Sequence, residues 1–223
     1  MKINITKAKE AFKEYVKNYD PEDGRVKVKI SHIERVANLA RKMAEELNLS
    51  EEDIQLAELI GLLHDIGRFE QVRLYHTFND GKSVNHAEIG VKILFEDGLI
   101  REFIEDKQYD EIIKIAILNH NRPAIETGLT ERQLLHSKII RDADKIDIYY
   151  SLTIYSKEAV WESKDLSNDI ISDEIYREFK EDKRMNYKNR RSAADGLVCH
   201  FAYVYDFYYK YSLQIIDENN YIE

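Results

Sequence analysis

The sequence predicts an all-α globule on three observations. Apolar residues recur at three- and four-residue spacing nearly throughout, strand-like alternation is almost absent, and only 2 of the 223 residues are proline and 8 glycine. With 43% hydrophobic and 34% charged residues, the composition excludes a disordered chain or a collagen-like repeat and fits a turn-rich sandwich poorly.

From Ile30 an apolar stripe runs through Ile33, Val36, Ala37, Ala40, Met43, Ala44 and Leu47, which predicts a helix ending near Asn48. Ser50, with Asp53 three residues on, is a variant capping box. It opens a second helix carrying Leu56, Leu59, Ile60 and Leu63, and a break follows at Gly67. The mixed stretch from Arg68 to Asn85 predicts a short helical turn and an irregular loop. Helices are expected over His86 to Phe95, closed by Gly98, and over Tyr109 to His120, closed before Pro123. Thr130 and Gln133 form another capping box, opening a long helix through Asp144 towards Tyr155. The chain turns polar after about Glu158, then returns to helix from Ile170 to Lys180 and from about Arg191 to Ile216, the last rich in tyrosine and phenylalanine. The break near Glu158 is too weak to divide the chain. A single domain over 1–223 is expected, with a core over about 30–155 and helices of about 158–223 packing on it.

A formal charge of −9, from 33 basic and 42 acidic residues, disfavours extended contact with nucleic acid or an anionic membrane. The lysine-studded N-terminus reads as neither signal peptide nor membrane span, and the lone Cys199 forms no disulfide framework, so a soluble cytoplasmic protein is expected. Oligomeric state is not legible.

Five polar side chains fall on the apolar faces of these helices: His32, His64, His86, His120 and Asp144 each lie three or four residues from apolar positions. One such histidine is ordinarily a satisfied core residue. Five in one helical core need a common explanation, because a buried imidazole or carboxylate is costly unless paired, hydrogen-bonded or metal-bound. A shared metal centre supplies it. Asp65, adjacent to His64 and pointing about 100° away on a helix, completes the set, and its two oxygens could bridge two ions. Six nitrogen and oxygen donors without sulfur suit one or two divalent ions of Mn, Fe, Co, Ni or Zn, with Mg disfavoured by four imidazoles.

His32, the doublet in LLHDIGRF and Asp144 in IIRDADKIDIY resemble the HD-domain superfamily of metal-dependent phosphohydrolases, a helical bundle, over Ile30 to Tyr155. His86 (SVNHAEIG) and His120 (AILNHNRP) stand where the dinuclear branches of that superfamily carry two further histidines. The resemblance implies one ion on His32, His64, Asp65 and Asp144, and a second on His86 and His120 with Asp65 bridging. The chain departs from the branches it resembles. It lacks the Gly-Tyr-Pro element of cyclic-dinucleotide phosphodiesterases, and Arg68 stands where mononuclear nucleotidases place a catalytic glutamate. It is most similar to small stand-alone HD proteins.

The expected activity is hydrolysis of a phosphate ester or anhydride in a nucleotide or other small phosphorylated metabolite by a metal-activated hydroxide, with Asp65 and Arg68 as the catalytic residues. Arg68, Lys145 and Arg122 are candidate substrate contacts. His76, in the long loop, is a candidate leaving-group acid, with a solvated histidine as the simpler account; His136 and His200 read as structural. Asp80 and Lys82 read as turn residues or part of a closing loop, and the basic run KEDKRMNYKNRR as a solvated surface. Two alternatives keep the ligand set: a di-iron oxygenase and a non-catalytic nucleotide-binding regulatory module.

Overall fold

The computed structural model describes residues 3–155, 169–181 and 185–222, and among them there are helices and turns but no strand. The break near Glu158, and with it most of ESKDLSND and part of the basic run, lies outside the described residues. The chain divides into two compact units, Met1–Asp144 and Lys145–Glu223.

The first unit is built around α1 (Ile5–Val16), α2 (Gly24–Glu46) and α3 (Glu51–Leu63). Helix α2 starts six residues before the first residue of the apolar stripe, because Asp23 caps it by accepting from the Arg25 N–H at 2.8 Å. That extra length places Lys29 on the helix, one turn before His32. Helix α3 is capped by Ser50 as its sequence implies, and every residue from Leu56 to Leu63 is buried. A helix buried on every side over two turns must be enclosed by others, and α2, α1 and a later helix, α7, pack against it. The approach of α2 needs Gly61: a Cβ there would lie 2.6 Å from the Ala37 Cα.

The stretch after Gly67 is more regular than its polar pattern suggests. A nine-residue helix, α4 (Gly67–Tyr75), buries Phe69, Gln71 and Val72 and ends at His76 in the left-handed region (φ 54°). Phe69 packs edge-on against Phe12 of α1, ring centroids 5.9 Å apart. A loop with a 3-10 turn at Asp80–Lys82 leads to α5 (His86–Val91), which continues as a π-type turn over Lys92–Glu96. Then come α6 (Ile100–Phe103), α7 (Asp110–His120) and α8 (Glu131–Ile154), the last opened by Thr130, whose N–H donates to the Gln133 side chain at 2.9 Å.

In the second unit, α9 (Asp173–Glu181) and α10 (Ala193–Phe201) enclose a small core of Ile175, Met185, Cys199 and Ala202. The expected continuous helix from Arg191 to Ile216 is broken: α10 passes into a 3-10 turn at Ala202–Tyr205, and α11 (Lys210–Glu218) starts afresh. Tyr149 Oη donates to the Phe201 carbonyl at 3.1 Å, and Tyr209 is extended (φ −117°, ψ 137°), so the aromatic run turns out of the helix to pack its rings. No described helix is long and apolar enough to cross a membrane.

Candidate metal centre

Five segments of the first unit bring the six polar residues together. His32 comes from α2, His64 and Asp65 from the turn after α3, His86 from the first turn of α5, His120 from the last turn of α7 and Asp144 from α8. Two glycines allow this convergence. Gly61 lets α2 lie against α3, bringing His32 to His64. Gly67 lets the start of α4 touch α5, where any Cβ would meet the His86 carbonyl oxygen at 2.2 Å.

Asp65 stands at the middle. Its Oδ2 is 3.4 Å from His32 Nε2 and 3.8 Å from His64 Nε2, while its Oδ1 is 3.3 Å from His86 Nε2 and 3.7 Å from His120 Nε2. Asp144 joins the first pair, with Oδ1 3.2 Å from His32 Nε2 and 3.7 Å from His64 Nε2. The four histidines and Asp65 are buried.

The outer nitrogens of three histidines are already engaged. His64 Nδ1 donates to the Gly61 carbonyl at 2.8 Å, His120 Nδ1 to the Ile117 carbonyl at 2.6 Å, and His86 Nδ1 to Asp80 Oδ2 at 2.7 Å. Such bonds fix the tautomer and leave the Nε2 lone pair facing inward. His86 Nε2 and His120 Nε2 lie 2.9 Å apart. Burial, and then the Arg68 charge, push His86 down to about 3, so it carries no second proton at neutral pH. With both Nδ1 atoms donating outward, the two Nε2 atoms either share one proton or face a common cation.

The charges agree. Burial lowers the His64 pKa. Burial also works to raise Asp65, but the Lys29 ammonium, then His64, outweigh it and hold the carboxyl well below the ordinary range. Asp144 is likewise held low, against its burial, by the neighbouring His32 and His64 imidazoles. His64 Nε2 and Asp65 Oδ1 are buried with no hydrogen-bond partner, which is costly for groups of this polarity. His32, His64 and Asp144, and separately His64, Asp65 and His120, present donor atoms within 4.8 Å of one another. Converging imidazole and carboxylate lone pairs of this kind fit a divalent transition-metal ion.

Three further residues serve this cluster without having been singled out as its partners from sequence. Lys29 Nζ donates to Asp65 Oδ2 at 2.6 Å; the signal was its place one turn before His32. Asp80, read as a turn residue, orients His86 and also accepts from Arg68 Nη1 at 2.9 Å, and His86 and Arg68 hold its pKa at about 2 against burial. Arg141, buried on α8 three residues before Asp144, donates to the carbonyls of Asn119 (2.8 Å) and Arg122 (2.5 Å), pinning the end of α7 that carries His120.

Arg68 lies at the cluster, its Nε 3.5 Å from Asp65 Oδ1, while its Nη1 also donates to Gln71 Oε1 (2.8 Å) and the Phe78 carbonyl (2.6 Å). Arg122 is half-buried and paired with Glu126. Lys145, in the second unit, is paired with Asp206. His76 caps α4, where its carbonyl accepts from Arg25 Nη1 at 2.5 Å, and Lys82 is exposed in the 3-10 turn. His136 is buried 3.0 Å from Asp53 Oδ1, and His200 packs its ring 5.2 Å from that of Tyr203.

Neither a curated protein nor a solved structure shows significant similarity to this chain. The sequence profile of the HD domain matches residues 30–149, a span holding all six clustered residues and more than half of the 223. The chain therefore belongs to the HD-domain family.

Proposed function

We propose that this centre hydrolyses a phosphate ester or anhydride of a nucleotide or another small phosphorylated metabolite, with two divalent transition-metal ions. His32, His64, Asp65 and Asp144 would hold one ion, and His86 and His120, with Asp65 shared, the other. The observation that carries this reading is the division of Asp65, whose Oδ2 faces His32 and His64 while its Oδ1 faces His86 and His120. The ions would supply a water of lowered pKa and positive charge against the phosphoryl oxygens. Asp65 stays ionised to be shared between them. Asp80, Gly61 and Ile117 keep the imidazoles oriented through their Nδ1 protons. Arg68, with Nε beside Asp65 and without a hydrogen-bond partner, offers a planar donor to a non-bridging phosphate oxygen.

The test is metal content and phosphate release by the wild type and Asp65→Ala across a panel of phosphorylated metabolites, with Mn, Co, Ni, Fe or Zn and with oxygen excluded. Wild-type turnover, together with loss of both metal loading and turnover in a still helical variant, supports the proposal. Full metal content and activity in Asp65→Ala would defeat it. Turnover that requires iron and oxygen would favour the oxygenase, and ligand-dependent thermal stabilisation without phosphate release from any compound would favour the regulatory module.

A further inference from the structure

Lys29 is a cation placed where a cation-binding centre is least expected to keep one. Its ammonium lies 2.6 Å from Asp65 Oδ2, the oxygen that faces His32 and His64, and its side chain is 16% exposed. The Phe78 ring lies beside it, with Nζ 5.3 Å from the ring centroid, and the Arg68 guanidinium is 5.7 Å from the same centroid. Lys29 and Arg68 thus lie near one aromatic ring and approach the two oxygens of Asp65 separately.

We propose that Lys29 is a substrate-binding residue, whose ammonium exchanges Asp65 for a non-bridging oxygen of the substrate's phosphoryl group. The proposal rests on the phosphohydrolase reading above. A divalent ion sharing Asp65 Oδ2 repels the ammonium, so the two cations compete for one oxygen. The displaced ammonium has three donors on a flexible four-carbon stem, and a cation–π contact with Phe78 keeps it at the rim of the centre. The partner that suits an ammonium beside metal ions is an anion that also touches those ions, and a phosphoryl group presents several oxygens at once. Arg68 reaches the other oxygen of the same carboxylate and lies near the same ring, so the two cations would present donors to one phosphate.

This role has a signature that a merely structural lysine does not share. Removing Lys29 takes a competing cation away from Asp65 and strengthens metal binding, but takes a donor away from the anion and weakens phosphate binding. A lysine that only holds the fold together would move both affinities in the same direction.

The experiment is calorimetric titration of the full chain with Mn2+, and then of the Mn-loaded protein with inorganic phosphate, for the wild type, Lys29→Met and Lys29→Arg. Lys29→Met is expected to bind Mn2+ about threefold tighter or more. It should bind phosphate about tenfold weaker or worse, the size of one charge-assisted hydrogen bond. Lys29→Arg should keep phosphate binding within about threefold of wild type. Unchanged phosphate binding by Mn-loaded Lys29→Met, a parallel fall in both affinities, or no phosphate binding by Mn-loaded wild type overturns the role of Lys29. Failure of the wild type to bind Mn2+, Zn2+, Co2+, Ni2+ or Fe2+ overturns the metal centre itself. If circular dichroism shows Lys29→Met unfolded, Lys29→Gln is read by the same criteria.

Discussion

Gly67→Ala sets local preference against packing. Alanine is favoured over glycine inside a helix by about 1 kcal/mol, and no positive φ marks Gly67 as needing glycine, so local reasoning alone expects the change to stabilise. The structure reverses the sign. A Cβ at Gly67 would stand 2.2 Å from the His86 carbonyl oxygen, 2.6 Å from the Gly90 nitrogen and 2.8 Å from Ile89 Cγ2. Two of the three are backbone atoms, so rotating the Ile89 side chain relieves only the mildest of the contacts. Reaching ordinary contact at 3.4 Å requires α4 and α5 to part by about 1.2 Å along the closest line. Overpacking of that kind costs about 1–3 kcal/mol, towards the upper end when backbone must move. Net of the gain in propensity, the variant should lose about 1–2 kcal/mol, a fall in melting temperature of about 2–8 °C. The same displacement carries His86 from its place 3.3 Å from Asp65 Oδ1. Affinity for a metal ion that His86 helps to hold should drop by about 10–100-fold, as when the support of a metal ligand is lost. Thermal melts followed by circular dichroism, with metal titration of the folded variant, measure both. A variant melting at or above wild type with unchanged metal stoichiometry would refute the reasoning.

Acid should destabilise the metal-free protein. His86 is held at about 3 against an ordinary 6.5, so between those values the unfolded chain binds a proton that the native chain does not, and stability falls as pH falls. The slope from this group alone approaches about 1.4 kcal/mol per pH unit. Asp65 and Asp144, both held well below 3.8, add in the same direction at lower pH. Urea midpoints from about pH 7 to about pH 4 that stayed flat would count against this. Arg141→Met leaves the carbonyls of Asn119 and Arg122 without their donor and should cost about 2–4 kcal/mol in urea unfolding; an unchanged midpoint would show that the end of α7 is held by something else. A metal ion at about 100 times its dissociation constant should stabilise the wild type by about 2.7 kcal/mol. Asp65→Ala should gain none of it, and an equal rise in both proteins would place the ion elsewhere.

What is legible in the sequence follows from burial. The apolar run Leu59 to Leu63 marks an enclosed helix end in either view, and His64 and Asp65 after it are placed deep by the same run. His32, His86 and His120 can be found because each sits a helical turn from apolar residues such as Val36, Ile89 or Ala116, so the period that marks the apolar face also marks them. Helix α4 is harder to see. Its buried residues include Gly67 and Gln71, which no hydrophobic pattern selects, and Gln71 is inside because its amide donates to Asp80, Ser83 and the Val84 carbonyl. Asp80 is invisible for a related reason: in FNDGKS it has all the marks of a turn residue, and its bond to His86 depends on a loop path that periodicity does not describe. Near the break between α10 and α11 the Phe201 carbonyl accepts from Tyr149, more than fifty residues away, a contact that periodicity does not describe.

The arrangement also bears on whether the fold depends on its ions. In a small metal-nucleated domain the ligands are most of what holds the chain, and the apo form is unfolded. Here Leu56, Leu59, Ile60 and Leu63, with Ile33, Val36, Ala37 and Ala40 opposite, form an apolar core that is complete without the cluster. The cluster is the costly part: His64 and His86 are held neutral by burial, and Asp65 Oδ1 is buried without a hydrogen bond. Lys29 offsets some of that cost by giving Asp65 Oδ2 a cation, and Asp80 offsets some for His86 by accepting a hydrogen bond from its Nδ1. Stability is thus drawn from one part of the first unit and used to keep donors poorly satisfied in another. A chain built this way stays folded when Asp65 is removed, and for that reason loss of metal loading in Asp65→Ala can be read as chemistry at the centre and not as collapse of the bundle around it.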